Sequence, residues 1–257
     1  MTDDTALHRR LLAASVRLRG AMATQQLELP FAVCLIGEDL PAVHDTNVVI
    51  VTAQVPPAVL LRSVDRLAAT AGWAHRRIEV DDPAVERRLR QPLLDAGYER
   101  QRHVTMVRGP EPPVAETAAA VIVDVGDQLA LSRALLRQQP WARSDALLDQ
   151  FARREQLLAR HARARVAIAP PDEPVSRALL LRHGDLLEID DVGTLTDHRG
   201  RGWSRAVLDR AIAHGRETDT SDIVLIADGD DWPRRWYGRL GFREIGWSTA
   251  FVRRPAA

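Results

Sequence analysis

A chain of 257 residues is about twice the commonest domain length, so two domains of ordinary size are expected, and 46% hydrophobic with 27% charged residues excludes a mostly disordered chain. Basic and acidic residues balance at 35 each, which leaves no global charge for nucleic acid. All the basic residues are arginine, a bias of the kind a GC-rich bacterial genome imposes, and this excludes Schiff-base and P-loop lysine chemistry. No apolar run approaches roughly eighteen residues, Met1-Thr2-Asp3-Asp4 is an acidic start without a signal core, and Cys34 is the single cysteine. A cytoplasmic protein is therefore expected, with no membrane span, intrachain disulfide or multi-cysteine zinc site.

In chain order, apolar residues at helical spacing (Leu7, Leu11, Leu12, Val16, Leu18) predict a helix over 5–22, and short apolar runs predict strands at 31–36 and 47–52. A helix over 58–71 closed by Gly72 follows, then a strand at 74–80. Asp81-Asp82-Pro83 opens a helix to Ala96, and 98–107 reads as a closing strand. The stiff run Gly109-Pro110-Glu111-Pro112-Pro113 marks a connector, giving expected domains at 1–108 and 117–257 with a linker over 109–116. Beyond it a strand at 118–123 leads to helices over 127–137 and 144–163. Strands at 165–169, 176–182 and 186–196 come next, then a helix over 202–215, a strand at 222–227, a short helix to Leu240 and a last strand at 242–252. Strands interleaved with helices give a mixed α/β (α+β) class.

A shift of 144 residues superposes Gly97-Tyr98 on Gly241-Phe242, Asp65-Arg66 on Asp209-Arg210, Thr105 on Thr249 and Thr52 on Thr196. The order strand, helix, strand, helix, strand matches as well, so duplication is the preferred reading, with a first copy that lacks the opening strand.

The most informative segment runs from Leu186 to Ser204. A strand enters a glycine-rich turn and then a helix, so free backbone N–H groups at the helix start face whatever lies above the strand end. Gly200 and Gly202 permit close backbone approach, and Arg199, Arg201 and Arg205 add charge suited to a pyrophosphate. Without the arginines, an ordinary glycine turn would account for the pattern equally well.

Arg199-Gly200-Arg201-Gly202-Trp203-Ser204 resembles the Arg/Gln-x-x-Gly-x-Gly/Ala acyl-CoA signature of the GNAT superfamily of N-acetyltransferases. Trp236-Tyr237-Gly238-Arg239-Leu240-Gly241-Phe242 is similar to the Tyr-x-x-Leu-Gly-Phe ending of that family. Ser204 departs from the pattern, adding a hydroxyl that would contact phosphate or crowd it slightly. The resemblance implies two GNAT-like mixed-sheet units in tandem, the first truncated and degenerate. It also implies an acetyltransferase that uses acetyl-CoA as cosubstrate to acylate an unidentified amine. Arg199 to Arg205, through Gly200, Arg201, Gly202, Trp203 and Ser204, would hold the pyrophosphate. Val192, Gly193 and Thr194 would pair with the pantetheine arm, and Asp231 would stand near it unless it is a helix cap. Tyr237 would sit by the sulfur as general acid unless its ring simply packs in the core.

Attack on a thioester requires a neutral amine, so a base is expected. Glu188, eleven residues before Arg199, is the candidate, and Asp190 on the same strand face is the lesser one; a solvated strand edge is the other account of both. The shifted first half places Val55-Pro56-Pro57 at the phosphate turn, Leu93 at Tyr237 and His44 at Glu188, which predicts a non-catalytic copy. Gly202-Trp203-Ser204 misses the nucleophile-elbow pattern, and the only later histidine, His214, lies inside the helix that follows, so no hydrolase triad can be built. The eight histidines show no ligand spacing, which predicts no metal, and the arginines of 153–165 read as a solvated helix face. Trp203, Trp232, Trp236 and Trp247 line either an acceptor pocket or the core. The rival class is a GNAT-like module that senses acyl-CoA without turnover. Composition leaves the acceptor, the acyl length and the oligomeric state open.

Overall fold

Leu7, Leu11, Ala14, Leu18 and Met22 recur at intervals of three and four along α1 (Thr2–Met22), and they are the apolar residues that helix buries, the stripe a 3.6-residue period sets against a core. The computed structural model describes residues 2–109, 118–142, 144–218 and 220–254, so the expected connector lies almost wholly outside the described residues. After α1 come β1 (Gln25–Leu29), β2 (Ala32–Ile36), β3 (Val48–Val51), α2 (Pro57–Ala71), β4 (Arg76–Val80), α3 (Pro83–Asp95) and β5 (Glu99–Arg108). The remainder holds β6 (Val121–Asp124), α4 (Leu129–Arg137), α5 (Asp145–Ala162), β7 (Arg165–Ala169), β8 (Ser176–His183) and β9 (Leu186–Thr194). It ends with α6 (Trp203–Glu217), β10 (Asp222–Asp228), α7 (Pro233–Arg239) and β11 (Phe242–Arg253).

Two compact units result, each discontinuous in sequence. The first comprises Met1–Thr105, Ala227–Arg234 and Ile245–Ala257; the second comprises Met106–Ile226 and Arg235–Glu244. In the first unit the strand order is β1-β2-β3-β4-β11-β5, with β1/β2 and β2/β3 antiparallel and β3/β4 parallel across the α2 crossover. In the second, β7/β8 and β8/β9 are antiparallel and β9/β10 is parallel across α6. The same three joins in the same order make the duplication visible in the pairing itself. β1 is thereby the counterpart of β7, while β6, which opens the second unit by pairing antiparallel with β7, has no counterpart among the described residues of the first, the missing opening strand expected from the sequence. Gln25-Gln26-Leu27-Glu28-Leu29 pairs with β2 over its full length, and its polar composition, with four of its five residues exposed, hid it from an apolar-run reading.

The last strands depart from simple repetition. Under the shift β11 is the counterpart of β5, yet β11 pairs antiparallel with β4, Thr249 opposite Val80 through Arg253 opposite Arg76, so the chain's C-terminal strand completes the first unit.

Local chemistry sets the ends of the helices. Asp82 caps α3, its carboxylate accepting from the backbone N–H of Ala84 and Val85 at 2.6 and 3.1 Å, and Gly72 closes α2 at φ 68°. Gly215, expected as a helix end, lies inside α6 instead. A Cβ there would come within 2.7 Å of Ile223 and 3.0 Å of Leu187, so the glycine lets the helix press onto β9 and β10. Cys34 is buried among Val49, Leu60, Val64 and Phe251, and burial pushes its thiol up to about 11.

Candidate active site

The candidate site in the second unit is built on β9 and the turn that follows it. β9 pairs with β10 from Leu186 opposite Asp222 to Ile189 opposite Leu225, and among the described residues that pairing goes no further. The edge of β9 over Val192, Gly193 and Thr194 is thus left open on that side. On its other side the register jumps: Leu179 faces Asp190 but Arg177 faces Gly193, so Asp191 and Val192 stand against Ala178 alone in a bulge. Asp191 takes φ 47° there.

Past Thr194, a 3₁₀ turn over Thr196–His198 hands the chain to Arg199, and α6 begins at Trp203 with Gly202 as its N-cap. Gly200 and Gly202 adopt φ 74° and 84°, with nothing within 4 Å of where a Cβ would stand. Left-handed backbone, rather than crowding by protein atoms, selects glycine at both positions. Gly202 offers no side-chain cap, so the first amides of α6, those of Trp203, Ser204 and Arg205, face outward as an anion-binding helix end.

The arginines of the turn divide. Arg199 folds back, its Nε donating to the Thr194 carbonyl at 3.2 Å, and so braces the strand end. Arg205 donates to the buried Asp209 at 2.7 Å. Arg201 is exposed. Ser204 does not point its hydroxyl at a ligand. Ser176 Oγ donates to the Gly193 carbonyl at 2.9 Å, so it must accept from Thr194 at 2.8 Å, and Thr194 in turn accepts from Ser204 at 2.6 Å. This relay ties β8, β9 and α6 together and accounts for a hydroxyl where the resembling signature carries glycine or alanine.

Glu188 and Asp190 share one face of β9, as their spacing predicts. Glu188 is buried at 7% exposure, and its Oε2 lies 2.8 Å from His183 Nε2 across the β8–β9 hairpin. Asp190 is half-buried, and removal from water and the nearby Glu188 charge push its carboxyl up to about 7, against the pull of Arg154. Tyr237 on α7 is 9% exposed, its ring 5.2 Å from Trp236 and 5.9 Å from Phe242; burial first, then the charge of Asp190, raise its hydroxyl to about 12. Sequence reasoning missed His183, which had no signal beyond its place at a hairpin end.

Asp231 falls in the segment 227–234, which belongs to the first unit, and its carboxylate accepts from the backbone N–H of Trp232 at 2.7 Å. Trp247, also in the first unit, is flanked by the guanidinium groups of Arg102 and Arg234 at 4.2 and 4.9 Å, and Trp232 is 66% exposed. The four tryptophans therefore do not form one wall of a single unit.

The first unit's counterpart of this site is chemically mute. Pro56 is the N-cap of α2 and Pro57 its first residue, so two amides are missing where the anion would sit. Leu93 is fully buried in the core, and His44 stacks on His75 at 3.8 Å. A cavity of about 340 Å³ beside the turn is lined by Gln54, Val55, Pro56, Pro57, Val85, Arg88 and Leu89. Among the described residues no helix is long and apolar enough to cross a membrane, and no three His, Cys, Asp or Glu side chains gather as a metal site.

Comparison with known proteins bears on the fold. Residues 129–242 match the model of the acetyltransferase (GNAT) family. No curated protein matches the chain. Among solved structures, a functionally unknown conserved protein from Staphylococcus epidermidis ATCC 12228 superposes with a TM-score of 0.70 at 13% identity, covering 90% of this chain and 93% of its own. A GCN5-related N-acetyltransferase from Kribbella flavida gives 0.65 at 18% identity with 95% of both chains covered. A tandem GNAT protein from the clavulanic acid biosynthesis pathway gives 0.53 at 11% identity, over 82% of this chain and 76% of its own. At these identities the likeness is one of fold, and it extends across both units. Residues 129–242 thus resemble the acetyltransferase (GNAT) family, and the fold of the chain is that of its GNAT-like neighbours.

Proposed function

We propose that the chain is an acyl-CoA-dependent N-acetyltransferase that moves the acetyl group of acetyl-CoA to an amine by direct attack. The observation that supports this most is the junction of β9 and α6. There an open strand edge leads within a few residues to a left-handed glycine turn and an uncapped helix end, with a carboxyl and a tyrosine hydroxyl alongside. The amides of Trp203, Ser204 and Arg205 would hold the pyrophosphate, and the edge Val192–Thr194 would pair with the pantetheine amides. Acetyl-CoA supplies the activated acyl group.

Asp190 suits the base. A carboxyl near 7 is half ionised at neutral pH and takes the proton of an attacking amine more readily than an ordinary aspartate does. As the C–N bond forms and the C–S bond breaks, the amine proton passes to Asp190, and the CoA thiolate leaves and takes a proton from solvent to give the thiol, Asp190 returning its proton to solvent. Glu188, held against His183, raises Asp190 by its charge. Tyr237 at about 12 stays protonated throughout the working range. Full transfer from such a phenol to a thiolate, whose acid lies near ~8.5, is uphill by about 5 kcal/mol, so Tyr237 acts as a hydrogen-bond donor to the departing sulfur rather than as the source of its proton. CoA thiol release, followed with a thiol reagent across a panel of primary amines with acetyl-CoA as donor, tests the reading. Amine-dependent release is the expected result, and acetyl-CoA binding without release from any amine would favour the sensing role.

A further inference from the structure

Arg177, on β8, is fully buried. A guanidinium cannot shed its charge, so in that position it needs an anion. Glu155 of α5, itself only 4% exposed, provides one at 2.8 Å, and is held by the Ser132 hydroxyl and, at 3.5 Å, by the Gln128 side-chain amide. The far side of the guanidinium points elsewhere: Nη2 lies 3.5 Å from Asp191 Oδ2, and among the described residues neither it nor Nε has a hydrogen-bond acceptor. Asp191 is the bulge residue of β9, at φ 47° where an L side chain is disfavoured, and Arg177 faces Gly193 in the register that the bulge displaces.

We propose that Arg177, anchored from behind by Glu155, is a positioning residue that holds Asp191 in the left-handed bulge and so keeps the backbone groups of Val192–Thr194 turned to the open edge of β9. The ligand half of this proposal rests on the acyl-CoA reading. The hold on the bulge does not. Neither Arg177 nor Glu155 need touch the ligand: the pair sets the register of the strand that does.

Three full-length variants test it. R177M/E155Q removes the buried pair without orphaning either charge. D191G accepts the positive φ but loses the carboxylate. D191N keeps an oxygen acceptor and tolerates the left-handed region. Amide hydrogen exchange in the free chain and calorimetric titration with acetyl-CoA are the readouts, with thermal unfolding as the control. Expected for R177M/E155Q and D191G is faster exchange confined to 190–194 and an acetyl-CoA Kd raised about five- to tenfold, the loss of one or two backbone hydrogen bonds, while D191N stays near wild type. Unchanged exchange and unchanged Kd in both R177M/E155Q and D191G would overturn the proposal. If wild-type chain fails to bind acetyl-CoA, the acyl-CoA reading and the ligand half fall together, and the exchange data still uphold or overturn the hold on the bulge.

Discussion

Asp190 stands two positions from Glu188 on one face of a strand, and burial first, then the neighbouring Glu188 charge, lift its carboxyl to about 7. Three outcomes follow at this scale. Asp190→Asn should abolish the acidic limb of kcat/KM that falls near neutral pH and lower turnover by ~10²–10³. Glu188→Gln, by removing the like charge, should move that limb to lower pH; a limb that stays in place would separate the two groups. Tyr237→Phe keeps the ring on Trp236 and Phe242, so stability should hold while kcat drops by about 10–100-fold. The raised carboxyl also bears on folding. Its folded pKa lies above the unfolded value, so it contributes stability fully below about pH 4 and loses that contribution as pH rises through about 7. Asp190→Asn should therefore gain on the order of 1–3 kcal/mol over wild type in urea unfolding at pH 8 and almost nothing at pH 4. Glu188, Asp190 and Tyr237 were all legible as residue types at telling spacings. His183, Arg177 and Asp191 were not, because a hairpin histidine, a strand arginine and one more aspartate become special only when cross-strand register and burial bring them together.

At the scale of elements, the turn into α6 was readable because its glycines answer to backbone conformation, which sequence encodes directly. Gly200→Ala would force an L residue to φ 74° in open space, so the expected loss of stability is the conformational penalty alone, roughly 1–2 kcal/mol, together with weaker acetyl-CoA binding as the amides tilt away. Thermal unfolding and titration of this one variant give both numbers. The hydroxyl relay from Ser204 through Thr194 and Ser176 to the Gly193 carbonyl shows the opposite case. Ser204 read as a departure from a motif, and only its partner, ten residues back on β9, explains it. β1 was missed for a related reason: an edge strand with four exposed residues carries no apolar signal, and its existence is written in its partner β2. The arginine-rich helix α5 was read as solvated on one face, yet Glu155 within it is buried against Arg177, a placement that periodicity leaves open because glutamate normally marks the outside.

For the molecule as a whole, repetition was visible in the sequence and the place of its last strand was not, since β5 and β11 are alike in pattern, yet it is β11 that pairs with β4. Because β11 pairs with β4, fragments 1–109 and 110–257 should each be poorly soluble alone, with the edge of β4 exposed in one and β11 without its partner in the other, and should recover when co-expressed. Two independently soluble, folded fragments would contradict the pairing of β11 with β4. The central claim, that one unit keeps the proposed acyl-CoA site while its copy has lost it, is tested most directly by calorimetric titration of acetyl-CoA into the full-length chain and into Gly202→Asp, which sets a carboxylate at the N-cap of α6, where the pyrophosphate is proposed to bind. One site per chain is predicted, lost or severely weakened in the variant; two equivalent sites, or the same affinity with and without Gly202, would contradict it.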